Sequence, residues 1–235
     1  MVSAPPSPPP PPAQPVAAIL LAAGRSRRMG AFKLLLPFGT RTVIETCVNN
    51  LLEAGVAEIV VVTGRRAADV RGCLEKSFPA APIKFAHNPD EESEMGDSVA
   101  RGAQIVSPAA GAILVALADC PAVEPETIRT ILGAWREGGA PFVIPTWQKR
   151  GGHPVLLDAA HRAELGALGS DRSLRTIFDA HRREVLRLEV ASPFVVRDLD
   201  TWDDYATLYG DVFGTAPPGP DEPTPAGERT SNVPT

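Results

Sequence analysis

Three polar segments of this 235-residue chain hold side chains that could do chemistry together. The first is Ala22-Ala23-Gly24-Arg25-Ser26-Arg27-Arg28-Met29-Gly30-Ala31-Phe32-Lys33, with two glycines, a serine and four cations. Glycine lets backbone N–H groups turn toward an anion, and cations add charge, so this composition suits a phosphate cradle. It lacks the GK[ST] of a Walker loop and the spaced glycines of a dinucleotide fingerprint. The second segment is Ala118-Asp119-Cys120-Pro121, whose carboxylate can hold a hard divalent cation such as Mg²⁺. The third is Arg197-Asp198-Leu199-Asp200-Thr201-Trp202-Asp203-Asp204. Strand-like alternation around Val195–Leu199 leads into a helix and puts Asp198 and Asp200 on one face, where either can complete a two-carboxylate site with Asp119. Asp203 and Asp204 suit the first turn of a helix capped by Asp200 or Thr201.

Two further segments are less specific. Glu91–Ser98 leads into a helix at about Gly96, whose N–H groups and the Ser98 hydroxyl could meet a base or ribose, or simply cap that helix. Pro145–Pro154 is a glycine-rich loop, either a hairpin turn or a wall of the substrate pocket. Its His153 has no general-base partner visible in the sequence.

The elements that must position these segments are legible from apolar periodicity. Val16–Leu21, Glu58–Thr63 and Ala112–Leu117 are short continuous apolar runs, as strands buried on both faces are. Ile83–Ala86, Phe142–Ile144 and Pro154–Leu157 are weaker strand candidates. Residues 42–54, 67–76, 97–106 and 125–137 have helical spacing, with Gly55 just past the first helix and Pro125 in the first turn of the last. Alternating strands and helices predict an α/β fold with a mostly parallel sheet, which binds ligands at the carboxyl ends of its strands. The loops that begin at Ala22 and Ala118 follow such strands.

Bulk composition narrows the classes. With 23 basic and 28 acidic residues the net charge is -5, which argues against a nucleic-acid partner. No apolar run approaches a membrane span. Three scattered cysteines, Cys47, Cys73 and Cys120, form neither a disulfide framework nor a zinc motif, and fit a reducing cytoplasm. Fourteen of the 25 prolines lie in residues 1–15 and 215–235. We therefore expect disordered Pro-rich tails over 1–15 and 214–235 flanking one domain over 16–213, with no signal peptide. Such tails are also compatible with docking to a proline-reading domain.

LAAGRSRRMGAFKLLLPFG at Leu21–Gly39 resembles the signature of the MobA-like nucleotidyltransferases, and most closely that of the molybdenum cofactor cytidylyltransferase group, LAAGxSxRMGxxKxLL, at every fixed position. MGDSVARG at Met95–Gly102, the Asp119 segment, Gly152–Val155 and Asp198–Asp204 resemble the group's later motifs, in order. The resemblance spans about residues 16–213. It implies a Rossmann-like, three-layer nucleotide-diphospho-sugar transferase type of fold. It also implies transfer of a nucleoside monophosphate to a phosphorylated acceptor such as molybdopterin, with pyrophosphate released. By that resemblance Leu21, Ala22, Ala23, Gly24, Arg28, Lys33, Gly96 and Ser98 bind nucleotide, with Arg28 and Lys33 catalytic, and Asp119 and Asp200 bind Mg²⁺. The LAAG form favours CTP over the GTP associated with LAGG. A molybdoenzyme or its chaperone is an implied partner. Asp97 and Trp202 depart from the group's pattern. A GTP-dependent or sugar-phosphate transferase is an alternative within the class, and a non-catalytic nucleotide- or cofactor-binding module is one outside it. An NAD-type oxidoreductase would need the absent glycine fingerprint.

Overall fold

The computed structural model describes residues 14–24, 29, 31–90, 92–169 and 172–219. The expected tails fall largely outside these. Within them, Gln14 and Pro15 are already docked, because the Pro15 carbonyl accepts from the Gly111 N–H.

The chain runs through β1 (Val16–Ala22), β2 (Pro37–Phe38), β3 (Arg41–Thr42), α1 (Val43–Glu53), β4 (Glu58–Thr63), α2 (Ala67–Ser77), β5 (Ile83–His87), α3 (Met95–Ile105), β6 (Ala112–Leu117), α4 (Pro125–Gly138), β7 (Phe142–Trp147), β8 (Arg150–Gly151), β9 (Val155–Asp158), α5 (Arg162–Gly166), α6 (Leu174–Ala180), β10 (Val185–Glu189) and α7 (Trp202–Phe213). The main sheet has the order β10-β7-β9-β6-β1-β4-β5, with β8 paired to β7. Pairs β1–β4, β1–β6, β4–β5 and β7–β10 are parallel. β9 runs antiparallel between β6 and β7.

Alternate residues of the central strands feed opposite cores, as the two-residue period of a strand requires. Val16, Ala18 and Leu20 of β1, Ile59 and Val61 of β4, and Leu114 of β6 pack with Ile44 and Val48 of α1, Leu74 of α2, Ile131 of α4 and Leu208 of α7. Ala17, Ile19, Val60, Val62, Ile113 and Val115 pack with Val99 of α3, Leu165 of α5 and Ile177 of α6. The result is three layers, helix–sheet–helix, as expected from the sequence. α3 lies tight on the sheet: a Cβ on Gly102 would come within 2.5 Å of the Ile19 side chain.

The strong apolar runs become strands at or near their expected bounds, and Thr42 caps α1 in a capping box with Glu45. One expectation needs correction. Val195–Leu199 does not form a strand: Pro193–Val196 is a 3-10 turn started by Pro193 and Ser192, and the chain beyond it is extended without a ladder. Of the two residues expected to cap α7, Thr201 does so. Thr201 accepts from the Asp204 N–H and Asp204 accepts from Thr201 in return. The elements missed in the sequence are short or weakly patterned, namely β2, β3, β8, α5, α6 and β10.

The α7 cap makes a testable prediction. The Thr201 hydroxyl hydrogen bond holds the Asp204 carboxyl below its usual value. A lowered folded-state value means stability that is present above the unfolded carboxyl range and lost as pH falls through the folded one. Thr201→Ala should cost about 1 kcal/mol in urea denaturation at pH 7. That difference should shrink below about pH 4 as Asp204 protonates in the wild type.

Candidate active site

The chain order β1, β4, β5 proceeds outward on one side of β1, and β6 then returns on the other side. The strand order thus reverses between β1 and β6, the place where sheets of this kind bind ligands at the carboxyl ends of their strands. The Ala118 N–H donates to the Leu21 carbonyl, which fixes the two loops side by side. To this place the fold brings Asp119, the 3-10 turn Lys33–Leu35, and the extended segment that precedes α7.

Lys33 is the hub. It is 7% exposed, a burial rare for an unpaired lysine. Its Nζ donates to Asp119 Oδ2 at 2.6 Å and to the Leu199 carbonyl at 2.8 Å, and lies 3.5 Å from Asp200 Oδ1. The Leu199 N–H in turn donates to the Asp119 carbonyl. Residues 86 and 166 positions apart are thus tied through one ammonium group. The sequence suggested a phosphate-binding lysine and a separate carboxylate pair; the fold joins them.

Asp198 makes the third carboxylate. Burial, and then the neighbouring charges of Asp119 and Asp200, push its carboxyl above the usual range. Among the described residues three carboxylates gather around this one lysine. That donor set, all oxygen, fits a hard divalent cation such as Mg²⁺ or Mn²⁺ better than a soft one. Beneath Asp119 lie two buried thiols. Cys47 Sγ donates to the Ala118 carbonyl, and burial, then the Asp119 charge, drive both the Cys47 and Cys120 thiols up. Neither is a thiolate nucleophile at neutral pH.

The segment bearing Asp198 and Asp200 is set in place by the glycine-rich loop. That loop is a hairpin: β7 pairs with β8, and Gln148 and Lys149 turn with positive φ. The His153 N–H donates to the Val195 carbonyl, and a Cβ on Gly152 would lie 2.0 Å from the same carbonyl oxygen. Only glycine permits this approach. Gly152→Ala should push the Val195 turn away, costing about 1–3 kcal/mol in urea denaturation, the range for overpacking, together with activity. The His153 imidazole is buried, which lowers its pKa and keeps it neutral, and its Nδ1 has no hydrogen-bond partner among the described residues.

The other expected positions divide. Leu21 and Ala22 are the last residues of β1, and Ala23 and Gly24 open the loop. A Cβ on Gly64, just after β4, would lie 3.0 Å from the Ala23 carbonyl oxygen, so the loops after β1 and β4 touch. Arg28 lies outside the described residues. Gly96 has a packing reason to be glycine, since a Cβ there would lie 2.2 Å from the Arg172 carbonyl oxygen. Ser98 is buried and accepts from Asn88 Nδ2 at 2.9 Å. Asp97 caps α3 by accepting from the Glu94 N–H, which is local helix chemistry. Trp202 packs its ring against Tyr205 at 5.1 Å. Sequence reading missed Asn88 and the Leu199 carbonyl. Asn88 directly follows β5, and reading the loop after every parallel strand would have found it. A backbone carbonyl carries no sequence signal.

Comparison with known proteins bears on the family and the fold. The model of the MobA-like NTP transferase domain matches residues 18–185. The chain is 31% identical to nicotine blue oxidoreductase of Paenarthrobacter nicotinovorans over 79% of its own length and 87% of that protein's. It is 26% identical to the molybdenum cofactor cytidylyltransferase of Escherichia coli strain K12 over 80% and 93%. Among solved structures, Rv0371c from Mycobacterium tuberculosis H37Rv superposes with a TM-score of 0.72 at 27% identity, covering 84% of this chain and 98% of that one. A complex of Rv0371c with manganese has the same fold, with a TM-score of 0.68 at 26% identity over 83% and 98%. With most of its length matched by the domain model, and with the fold that goes with it, the chain belongs to the MobA-like NTP transferase family.

Proposed function

We propose that this protein moves a nucleoside monophosphate, CMP from CTP, onto a phosphorylated small-molecule acceptor of the molybdopterin type. The observation that carries the reading is the Lys33–Asp119–Asp198–Asp200 cluster at the switch point between β1 and β6. The LAAG sequence at Leu21–Gly24 and the cytidylyltransferase relative support CTP.

In this reaction an acceptor phosphate oxygen forms a bond to the α-phosphorus, and the bond from that phosphorus to the leaving pyrophosphate breaks. No covalent enzyme intermediate is required, consistent with protonated, buried thiols beside the site. Positioning and charge stabilisation carry such chemistry. Asp119 and Asp200, with Asp198 beside them, would hold Mg²⁺, which when bound neutralises charge on the phosphates. Lys33 orients Asp119 and the 199–200 backbone and supplies a fixed positive charge. Leu21–Gly24, Gly96 and Ser98 contribute to the nucleotide pocket, and Arg28 joins Lys33 on the phosphates. We place the catalytic unit at residues 16–213, and the protein in the cytoplasm. Among the described residues no helix is long and apolar enough to cross a membrane.

The relative named as an oxidoreductase supports a second reading, in which the same scaffold binds a nucleotide for electron transfer. The experiment that decides is incubation of the full chain with Mg²⁺, a molybdopterin-type cofactor and each of CTP, GTP, ATP and UTP, measuring pyrophosphate release. CTP-selective, acceptor-dependent release is expected. Release with GTP alone would overturn the base assignment. No release with any nucleotide, but NAD(P)H oxidation with an aromatic dye acceptor, would replace the transferase reading with the second.

A further inference from the structure

At the far end of the sheet from the carboxylate cluster, two imidazoles converge on one carboxylate. His161 Nδ1 lies 2.7 Å from Glu164 Oε1, and His181 Nε2 lies 3.0 Å from both Glu164 oxygens. One ligand atom from each residue can be chosen so that all three fall within 4.8 Å of one another. Asp158, just before His161, pairs with the first residue of β6, whereas Asp119 follows the last. Six residues of strand put about 20 Å between the two places. None of these side chains has a part in the proposed transfer.

We propose that His161, Glu164 and His181 form a binding site for a divalent transition metal of the zinc class. Two imidazoles and one carboxylate are the ligand types that zinc, cobalt and nickel select, whereas Mg²⁺ favours oxygen alone. The contacts to Glu164 are hydrogen-bond distances. A tetrahedral ion with bonds of ~2.1 Å needs ligand edges of about 3.4 Å, so the contacts of Glu164 to His161 and His181, now 2.7 and 3.0 Å, must open by roughly 0.4–0.7 Å, and the two imidazole nitrogens, within 4.8 Å of each other, must settle to the same edge. The remaining corner opens to solvent, because Glu164 is 39% exposed and the two imidazoles 20% and 23%.

Three features pre-organise the site. Both rings lie against buried Phe142, with centroids at 4.4 and 4.6 Å, which limits their rotation. Arg162 clamps the start of α5 by donating to the Val106 and Ser107 carbonyls. The other ring nitrogen of His181, Nδ1, faces Glu184 Oε1 at 3.1 Å. That is the carboxylate–histidine–metal relay that fixes the tautomer and strengthens the ligand. A bound ion would clamp the turn before α5 to the end of α6 beneath the edge of the sheet.

The test is titration of the full-length, metal-stripped protein with Co²⁺ in saturating Mg²⁺, which occupies oxygen-only sites. We expect one equivalent bound, the intense visible absorption of four-coordinate cobalt with nitrogen ligands, displacement by Zn²⁺, and a rise in thermal midpoint. His161→Gln and His181→Gln should each weaken binding more than about 100-fold, and Glu184→Gln by about 10–100-fold. Circular dichroism without Co²⁺ checks that each variant is folded. Glu184→Gln leaves all three proposed ligands in place, so its weakened binding can be read even if a histidine variant unfolds. No cobalt bound, an octahedral spectrum only, or binding that survives both histidine substitutions would overturn the site, leaving a charged hydrogen-bond cluster. Because the readout is metal and not nucleotide, this result is independent of the transferase reading.

Discussion

Lys33→Met should lower pyrophosphate release by about 10²–10³-fold at saturating nucleotide, the loss seen when one fixed charge-stabilising donor is removed. Methionine keeps the unbranched apolar stem that packs in this buried position and removes only the ammonium group. Asp119, Asp198 and Asp200 then repel one another without the Lys33 charge among them, and the buried Leu199 carbonyl loses its donor. The unpaired carbonyl should add a stability loss of about 1–3 kcal/mol, read by urea denaturation. Rates should be compared at a temperature where both proteins are fully folded. Lys33→Arg should restore little, because a planar guanidinium cannot place one donor on the Asp119 oxygen, the Leu199 carbonyl and Asp200 together. A loss of only a few-fold in Lys33→Met would show that the lysine merely fills space.

Asp119→Asn should be the more severe lesion for activity and the milder one for the fold. The side chain keeps its shape, so a hydrogen bond from Lys33 Nζ to its amide oxygen can persist. The charge that would hold the divalent ion is gone, and a lost metal contribution of about 4 kcal/mol is a factor of roughly a thousand in rate. Two effects on stability oppose each other: the ion pair with Lys33 is weakened, and the repulsion on Asp198 is relieved. The thermal midpoint should therefore move little. Asp198, which is pushed up by burial first and then by Asp119, should titrate closer to an ordinary carboxyl, observable by NMR. Activity above a tenth of wild type would remove Asp119 from the site.

The layered architecture was legible because its signals are local. Ala112–Leu117 and Glu58–Thr63 are continuous apolar runs, and nothing but a strand covered on both faces buries every second side chain to each side. Gly55 just past α1 and Pro125 at the start of α4 mark helix ends through torsions that involve near neighbours alone. The parts misread were those where packing overrides a short pattern. Val195–Leu199 alternates like a strand, yet it finds no partner strand, because its carbonyl at Val195 is taken by His153 and its Leu199 N–H by Asp119. β10 has an exposed middle and forms only because the parallel edge of β7 is free to receive it.

The candidate site divides the same way. Sequence by itself determined which residue types stand at the ends of strands: a glycine- and cation-rich loop after β1, an aspartate after β6, and acids before the last helix. Their backbone positions follow from strand periodicity, which is a property of neighbours in the chain. Only the tertiary structure decided that Lys33 bonds to Asp119 and to the carbonyl of Leu199, that Asp198 shares their space, and that Gly96 is glycine to admit the Arg172 carbonyl. These are contacts between residues dozens to more than a hundred positions apart. They depend on how the two sheet halves meet at the β1–β6 switch point and on distances of a few tenths of an ångström, which no local pattern encodes.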